Sequence, residues 1–349
     1  MKKVLLGMSG GVDSSVSAIL LKEQGYDVIG ITLELFGGTC CNTDAIVGAK
    51  QICNSIGIPH ITYNLKEEFQ CKVINNFIDE YSNQRTPNPC IECNKYMKFG
   101  AMYEKAKELG CDYIATGHYA KMEYSDEYGK YVLRKAQNLS KDQSYVLYNM
   151  PKQLLGKVLF PLGDFKSKED VRKIAKEHNL SVASKPDSED ICFIPDGNYK
   201  KFLEQNSSIV PKEGNIVNRK GEVLGRHTGL YNYTIGQRKG LGISYKVPLF
   251  VIGFNKERNE VIVGEQQELY RKEMKVNEVN LLLMDKIERT LDVTVKIRYA
   301  SKPAEAIINQ TESGNIQVIF KEPQRGITPG QSAVFYIGDV VVGGGKIQD

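Results

Sequence analysis

The 349-residue sequence predicts an α/β protein: a doubly wound parallel sheet followed by two small β-rich domains, the last of them a β-barrel. In the first 200 residues, apolar runs alternate with segments of helical periodicity, as in parallel sheets covered by helices. From about Gly214 onward, short β-type runs and glycine turns predict small barrels. We place the domain boundaries near residues 204 and 270, which gives domains 1–204, 205–270 and 271–349.

Residues 2–21 predict a buried strand, a polar turn and the start of a helix. The apolar run at residues 4–6 lacks alternation, as in strands covered on both faces. Gly10 and Gly11 permit unusual backbone angles and leave no side chain between a ligand and the amides. We expect the helix to open at Ser14, so that its amides and positive dipole end point into a turn suited to a polyphosphate.

The later elements of the first domain are predicted from apolar periodicity and from glycine and proline positions. They are a strand at 28–35, a loop at 37–41, a helix at 43–56, a strand at 60–63, a helix near 69–83, a helix at 98–109, a strand at 113–116, a hairpin at 126–134 and helical segments from 141 to about 179. Between two of these helices, Pro87 and Pro89 each remove a backbone donor. We therefore predict that residues 83–94, with Cys90 and Cys93, form a stiff loop.

The second half of the sequence contains short β-type runs. They lie at 216–218, 223–226, 249–254, 261–264, 291–299, 304–308, 316–320 and 332–337. This spacing predicts one or two small barrels.

Composition favours a cytoplasmic protein without a membrane segment. No apolar stretch approaches the roughly 20 residues that span a bilayer, and the N-terminus runs directly into a strand. The eight cysteines all lie in the first 192 residues, at Cys40, Cys41, Cys53, Cys71, Cys90, Cys93, Cys111 and Cys192. In a long chain this usage indicates reduced thiols, some of them reactive or metal-binding.

Positive charge is concentrated in one segment. The formal net charge is +4, whereas residues 217–246 contain six Lys or Arg and one Glu, a net of +5. Such a concentration favours binding of a polyanion. The run at 232–242, with Arg238 and Lys239, would by itself suit a solvated hairpin, and the local charge makes phosphate binding the better interpretation.

The motifs, taken together, resemble one family. They are Ser-Gly-Gly-Val-Asp-Ser at 9–14, Arg-Thr-Pro-Asn-Pro-x-x-x-Cys-Asn at 85–94, Ala-Thr-Gly-His-Tyr at 115–119, Lys-Asp-Gln-Ser-Tyr at 141–145, Ser-Lys-Pro-Asp-Ser-x-x-Ile-Cys-Phe at 184–193, Tyr-Thr-Ile-Gly-Gln-Arg-Lys-Gly-Leu-Gly at 233–242 and Thr-Pro-Gly-Gln at 328–331. The first resembles the pyrophosphate loop of N-type ATP pyrophosphatases. All of them in this order resemble the bacterial tRNA-specific 2-thiouridylases, or tRNA-uridine 2-sulfurtransferases.

This resemblance implies a Rossmann-like ATP pyrophosphatase fold and an activity. The family thiolates the wobble uridine, position 34, of tRNAs for Lys, Glu and Gln. ATP adenylates the uridine O2, and persulfide-derived sulfur then replaces that oxygen, with release of AMP and pyrophosphate. The resemblance also implies Mg²⁺ and a cysteine desulfurase or sulfur-relay protein as partner. We expect a monomer.

The resemblance implies ATP-binding and tRNA-binding residues by position. ATP would contact Gly7, Met8, Ser9, Gly10, Gly11, Val12, Asp13 and Ser14, with Leu33 and Gly117 beside the base and ribose. Asp13 would hold Mg²⁺, directly or through water, beside the ATP phosphates, although a helix-capping role is the alternative. The tRNA would contact Asn88, Pro89, Cys90, His118, Lys141, Asp142, Gln143, Arg298, Tyr299 and Gln331, besides Arg238 and Lys239. For His118 a buried, hydrogen-bonded position is the alternative.

Two cysteines match the working cysteines of the family. The resemblance assigns the persulfide to Cys192 and the nucleophile to Cys93, and the two end as a disulfide that must be reduced. Lys95, Lys185 or a helix N-terminus would favour the thiolate. The alternative is a pair of buried structural cysteines.

Position 90 departs from the family pattern. Many members have Asp there, and a thiol with a reference pKa of about 8.5 puts a simple acid–base role for Cys90 in doubt. Cys90, Cys93 and Cys192 would form a three-thiolate set, and we hypothesise that they hold a [4Fe-4S] cluster. Zinc is the weaker alternative, because no fourth Cys or His has typical spacing.

Two other functions stay open from the sequence. The first is a pyrophosphatase-superfamily enzyme that acts on a small molecule, such as an amidotransferase-type synthetase or argininosuccinate synthetase; it would not need the basic β-rich part or the two thiols. The second is an RNA-binding protein with a vestigial nucleotide fold, against which the intact loop at 7–14 argues.

Overall fold

The structure, a computed structural model, describes residues 1–36, 43–184 and 191–348. Its strands are β1 (Lys3–Gly7), β2 (Asp27–Glu34), β3 (His60–Asn64), β4 (Tyr113–Ala115), β5 (Ala120–Ser125), β6 (Lys130–Lys135), β7 (Val158–Leu159), β8 (Gly214–Val217), β9 (Val223–His227), β10 (Phe250–Asn255), β11 (Glu260–Gly264), β12 (Tyr270–Leu281), β13 (Leu291–Lys296), β14 (Ala304–Gln310), β15 (Ile316–Arg325), β16 (Ser332–Ile337) and β17 (Val340–Ile347). Its α-helices are α1 (Val12–Glu23), α2 (Thr43–Ile56), α3 (Lys66–Phe69), α4 (Asn75–Ser82), α5 (Pro89–Glu92), α6 (Met102–Glu108), α7 (Ser144–Leu147), α8 (Lys168–Glu177) and α9 (Tyr199–Asn206). Two π-helical stretches, Gln70–Ile74 and Cys93–Ala101, join α3 to α4 and α5 to α6, and short 3-10 turns lie at Lys152–Leu154, Leu230–Asn232 and Gln266–Leu269.

A parallel five-stranded sheet, in the order β3-β2-β1-β4-β7, forms the first part of the fold. Val4 and Leu6 of β1 belong to the hydrophobic core on one face, and Leu5 belongs to the core on the other. All three are fully buried, as the unbroken apolar run predicts. Because β2 and β4 flank β1 on opposite sides, the crevice at the carboxyl end of β1 is a switch point where such folds bind ligands.

The last part of the chain is a closed barrel. Its strands follow the order β12-β15-β14-β13-β16-β17, and pairing of β12 with β17 closes the ring. The interior is apolar and includes Val318, Phe320 and Phe335. Strand β17 also pairs with β6, so the β5–β6 hairpin of the first domain extends the barrel sheet. In sequence, strands β8 to β11 lie between the first part of the chain and the barrel. They form a four-stranded sheet in the order β10-β11-β8-β9, with a small hydrophobic core of its own.

The predicted fold class is confirmed, and several boundaries differ from the prediction. Helix α1 begins at Val12, two residues before Ser14. The hairpin strands reach from 120 to 135, and the strand predicted at 291–299 ends at Lys296. Strands β7, β12 and β17 were not predicted.

The prediction that Cys90 and Cys93 lie on a loop is wrong. Helix α5 begins at Pro89, and Cys93 continues the helical segment. A proline fits the first helical position, because the N–H that it lacks has no partner within the helix. The Asn88 side chain caps this end by accepting from the Cys90 amide at 3.2 Å.

The predicted loop at 37–41, with Cys40 and Cys41, lies outside the described residues, and so does Lys185. Within the described part of the chain, no helix is long and apolar enough to cross a bilayer.

Candidate active site

The turn between β1 and α1 has the geometry of a phosphate-binding loop. Gly10 has φ +72°, in the left-handed region that favours glycine. Gly11 is the N-cap residue and gives α1 no side-chain cap, so the first helical amides have no acceptor within the helix. Among the described residues, a Cβ added at Gly11 would approach Ser9 Oγ alone, at 3.4 Å. The turn thus presents amides and the positive helix end on an open side, which suits a phosphate.

Serine hydroxyls fix the shape of this turn. Ser14 Oγ and Ser15 Oγ donate to the Gly11 carbonyl at 3.1 and 2.8 Å. The Ser9 amide donates in turn to Ser14 Oγ at 3.3 Å. Both helix serines are buried, which explains why the sequence needs small hydroxyl side chains here.

Asp13 lies at the mouth of the loop and is held by two side chains from elsewhere in the chain. Lys168 Nζ donates to both Asp13 carboxylate oxygens, at 2.6 and 2.7 Å. The Tyr119 hydroxyl donates to Asp13 Oδ1 at 2.8 Å. The Lys168 side chain is 9% exposed and that of Asp13 is 33% exposed. The loop therefore carries an ion pair in which the Lys168 side chain is largely buried.

Gly117 lies directly against the start of α1. A Cβ added at Gly117 would stand 2.9 Å from the Asp13 carbonyl carbon and the Ser14 amide nitrogen. Any side chain here would displace the helix start, so position 117 needs glycine for close backbone approach. The predicted ribose contact of Gly117 stays a prediction, and so does the base contact of half-buried Leu33 on β2.

His118 is buried and fully hydrogen-bonded. Lys98 Nζ donates to His118 Nε2 at 3.2 Å, which leaves Nδ1 to donate to Thr116 Oγ1 at 2.7 Å. Burial, followed by the positive charge of Lys98, holds the pKa of His118 well below its usual range. The structure thus favours the alternative of a neutral, buried histidine, and tRNA contact stays a prediction.

Cys93 and Cys192 pack against one hydrophobic cluster although they are 99 positions apart in sequence. The cluster includes Phe69, Phe77 and Phe193, whose rings make edge-to-face contacts. Both cysteines are only partly buried, and Cys90 is exposed one helical turn before Cys93. The fold thus brings both predicted sulfur-handling residues to the edge of one core.

The barrel holds the segment that leads into the cysteine helix. The Thr86 amide donates to the Pro329 carbonyl at 2.9 Å, and Gln331 Nε2 donates to the Thr86 carbonyl at 2.8 Å. Next to this contact, Arg85 makes two hydrogen bonds to the buried Glu80 carboxylate. Gln331 therefore orients the approach to Cys90, while its predicted tRNA contact remains a prediction.

Two of the other predicted tRNA contacts are committed to internal bonds. Asp142 is buried, and its carboxylate accepts from the Ala136 and Ser144 amides and from the Ser144 hydroxyl. Gln143 Oε1 accepts from the Tyr119 amide at 2.9 Å. Gln143 thereby supports the segment after β4 that carries Gly117, whereas Asp142 joins the residue after β6 to the start of α7. Half-buried Lys141 precedes them.

The remaining predicted tRNA contacts differ in accessibility. Arg238 and Lys239 are exposed, and Tyr299 is 43% exposed. Arg298 Nη2 donates to the Gly326 and Ile235 carbonyls and thus ties the barrel to the segment between the 3-10 turn at 230–232 and β10. Burial lowers the pKa of Arg298 below its usual value. Its hydrogen bonds to backbone carbonyls give this side chain a structural role.

Sequence reasoning missed Lys168 and the role of Tyr119. Lys168 is 155 positions from Asp13, and no local pattern connects the two. Tyr119 stands inside the Ala-Thr-Gly-His-Tyr motif, which was noted for its glycine and histidine. That motif could have indicated the tyrosine.

Fold and loop together define an ATP pyrophosphatase-type domain followed by two β-rich domains. Three family models match the chain: the tRNA methyl transferase HUP domain at residues 2–196, the tRNA methyl transferase PRC-barrel domain at 200–265 and the aminomethyltransferase beta-barrel domain at 271–347.

Curated relatives match over nearly the full length. The tRNA-specific 2-thiouridylase MnmA of Clostridioides difficile (strain 630) is 48% identical over 355 residues, covering 99% of this chain and 98% of the relative. That of Acetivibrio thermocellus is 48% identical over 357 residues, covering 99% of each. The chain therefore belongs to the tRNA-specific 2-thiouridylase family of enzymes. A crystal structure of a 4-thiouridine synthetase–RNA complex with bound ATP aligns with 58% of this chain and 50% of that chain, at 20% identity and a TM-score of 0.38.

Proposed function

We propose that this protein catalyses ATP-dependent 2-thiolation of the wobble uridine, position 34, of tRNAs for Lys, Glu and Gln. The family membership supports tRNA uridine as the substrate. One observation supports the chemistry: the same chain has an open phosphate loop at Gly10 and Gly11 and two cysteines, Cys93 and Cys192. Both cysteines pack against one hydrophobic cluster. Methyl transfer, the reaction in two family-model descriptions, would give neither the loop nor the thiols a role.

ATP is needed because a ring carbonyl oxygen is a poor leaving group. The uridine O2 attacks the α-phosphorus of ATP, an O–P bond forms, and pyrophosphate leaves. Amides at the start of α1 stabilise the charge that develops on the departing pyrophosphate. Lys168 offsets the charge of Asp13, so that this carboxylate does not repel the phosphates.

Sulfur transfer then uses the two cysteines. Cys192 carries a persulfide, whose terminal sulfur forms the new bond to C2 of the activated uridine while AMP leaves with the former O2. The Cys93 thiol attacks the Cys192 sulfur, and the bond between that sulfur and the transferred sulfur breaks as a Cys93–Cys192 disulfide forms. The electron pair of the broken bond goes to the transferred sulfur, and the thiol proton goes to the thiouridine. The transferred sulfur is thereby reduced and the Cys93 sulfur is oxidised, so a thiol reductant must open the disulfide before the next turnover. A cysteine desulfurase or sulfur-relay protein supplies the persulfide.

The observed contacts of Asp13 bear on how the predicted Mg²⁺ would be held. Both Asp13 oxygens accept from Lys168, so direct coordination of Mg²⁺ by Asp13 does not fit this arrangement. Residues 1–36, 43–184 and 191–348 contain no group of three or more His, Cys, Asp or Glu that could hold a metal ion. The hypothesised [4Fe-4S] site at Cys90, Cys93 and Cys192 therefore stays a prediction, and no step depends on it. A monomeric state, a cytoplasmic location and the domain boundaries at 204 and 270 remain predictions.

The exposed pair Arg238 and Lys239 should bind tRNA phosphates. We expect Arg238→Ala combined with Lys239→Ala to weaken tRNA binding and to reduce the slope of log Kd against log salt by about 2, roughly 1 per lost phosphate contact. ATP affinity should not change. Filter binding at several salt concentrations measures the slope. Lys256→Ala with Arg258→Ala, an exposed pair in the β10–β11 turn, is the matched control. An unchanged slope in the Arg238–Lys239 variant would contradict the contact.

Nucleoside mass spectrometry tests the proposed function. Unmodified tRNA is incubated with the protein, ATP and a cysteine desulfurase with cysteine. We expect 2-thiouridine at position 34 only when ATP is present. Absence of thiouridine, with AMP formed independently of tRNA, would instead favour a small-molecule substrate.

A further inference from the structure

Two half-buried lysines lie on tyrosine rings at the ends of β6 and β13, two strands of one sheet that β16 and β17 separate. Lys296 Nζ is 5.7 Å from the ring centre of Tyr145 and 5.5 Å from that of Tyr299. Lys135 Nζ is 4.3 Å from the ring centre of Tyr336. We call these five residues the lysine–tyrosine patch. Neither lysine was singled out in the sequence, because each is the last residue of its strand and belongs to no motif.

The aromatic floor of the patch is rigid. Tyr145 and Tyr336 are fully buried. The Tyr145 hydroxyl donates to the Ser332 carbonyl at 2.8 Å, and the Tyr336 hydroxyl lies 3.3 Å from Ser144 Oγ. Tyr145 also meets the Tyr299 ring at 64°, with 6.1 Å between ring centres. The two ammonium groups are thus held in place by packing on fixed rings.

The charge of Lys296 lacks an acidic partner. Across the described ranges, its contacts are those with the two rings, and no carboxylate lies within ion-pair distance of its Nζ. Burial lowers the pKa of Lys296; the charge of Asp142 opposes this effect, and the charge of Lys135 adds to it. Lys135 donates to the Gly338 carbonyl at 3.1 Å, and burial lowers its pKa too. Asp142 neutralises neither lysine by contact, since its oxygens accept from Ala136 and Ser144.

Such a site is favourable for an external anion. An ammonium that has lost part of its water without gaining a carboxylate is stabilised when an anion supplies the missing charge. The two lysines repel each other electrostatically. A ligand with several anionic groups can place one beside each ammonium, and it therefore stabilises the two charges more than a single anion does.

One member of the patch lies near enough to the cysteine helix for the charge of Cys90 to affect it. Tyr299 is the member of the patch that reaches the surface, with part of its side chain buried. Its partial burial raises its pKa most, the charge of Asp142 raises it less, and the charge of Cys90 raises it least. Cys90 stands one turn before Cys93 at the exposed start of α5. A polyanion that delivers a base to Cys93 would therefore extend its backbone over the lysines.

We propose that the lysine–tyrosine patch binds backbone phosphates of the tRNA nucleotides next to the target uridine, with Lys135 and Lys296 on the phosphates and Tyr299 stacked on a neighbouring base. This inference rests on the proposed function. Stacking of an unpaired base on an exposed aromatic beside basic residues is a common mode of single-strand recognition.

The test is the salt dependence of tRNA binding by Lys296→Gln, by Lys296→Arg and by the double variant Lys135→Gln with Lys296→Gln. We expect the double variant to reduce the slope of log Kd against log salt by about 1.4, since each of the two phosphate contacts on a single strand contributes about 0.7. Lys296→Arg keeps the charge and should keep the wild-type slope. Lys321→Ala, an exposed lysine on β15 paired with Glu305, is the control that should change nothing.

The readouts separate this inference from the proposed function. If the wild type thiolates tRNA and the double variant keeps its slope, the patch does not bind phosphate. If the wild type itself forms no thiouridine, the proposed function fails first. ATP binding by each variant, measured by calorimetry, should equal that of the wild type. Loss of tRNA affinity in Lys296→Arg to the same extent as in Lys296→Gln would also overturn the inference, because charge would then not be the cause.

Discussion

Cys93→Ser should abolish tRNA thiolation, with a loss of about 10³-fold or more, while ATP binding is retained. The serine hydroxyl is not ionised at neutral pH and cannot open the persulfide on Cys192. A nucleophile that acts as part of a unit typically accounts for losses of this size. Thiouridine formation and ATP affinity measured on the same preparation give both quantities. Cys192→Ser should lose thiolation equally, because no sulfur can then be carried.

Cys71→Ser is the matched control for these variants. Cys71 is exposed on the π-helical stretch at 70–74, and no role is assigned to it. We expect its activity to equal that of the wild type. Thiolation by Cys93→Ser at more than about a tenth of the wild-type rate would show that Cys93 is not the nucleophile.

Lys168→Ala should slow AMP and pyrophosphate formation by about 10²-fold. Without the ammonium, the Asp13 carboxylate stays charged beside the ATP phosphates, and a fixed positive group at the loop is lost. Removal of one preorganised charged donor from such a site commonly costs 10²- to 10³-fold in rate. Tyr119→Phe removes only the hydroxyl bond to Asp13, and we expect a smaller loss. AMP formation, followed by chromatography, measures the rate.

Lys173→Ala controls for the helix that carries Lys168. Lys173 is exposed on α8 and pairs with Glu177, so its loss should leave AMP formation unchanged. Thermal unfolding of both variants separates catalysis from stability, because removal of one partner of a buried pair also destabilises a fold. A folded Lys168→Ala protein with wild-type AMP formation would contradict this role.

The sequence predicts elements whose signals are contiguous. The strand, glycine turn and helix of the phosphate loop lie within 20 residues, and the helix predicted at 43–56 has the observed bounds. The start of α5 was predicted wrongly even though the signals were present: Asn88 is a good N-cap residue and Pro89 suits the first helical position. A proline breaks a helix in its interior but not at its first position, so the effect of Pro87 and Pro89 depends on where the helix starts.

Other features depend on contacts that are distant in sequence. In β12, a run of exposed polar and charged residues obscures the alternation of apolar and polar residues that would predict a strand. In β17, Gly344 and Gly345 look like a turn, but an added Cβ would stand 2.5 Å and 2.4 Å from the carbonyl oxygens of neighbouring strands. Barrel closure therefore requires glycine there. The bond between Lys168 and Asp13 is likewise visible only once the chain is folded.

The fate of one oxygen atom tests the central claim most directly. The claim is that ATP activates uridine O2 by adenylation, so this oxygen must leave on AMP. A tRNA assembled by ligation with a single [2-¹⁸O]uridine at position 34 is thiolated in unlabelled water, and the AMP is analysed by mass spectrometry. We predict one ¹⁸O per AMP, equal in amount to the thiouridine formed. Thiouridine accompanied by unlabelled AMP would contradict adenylation of the base and would require another role for ATP.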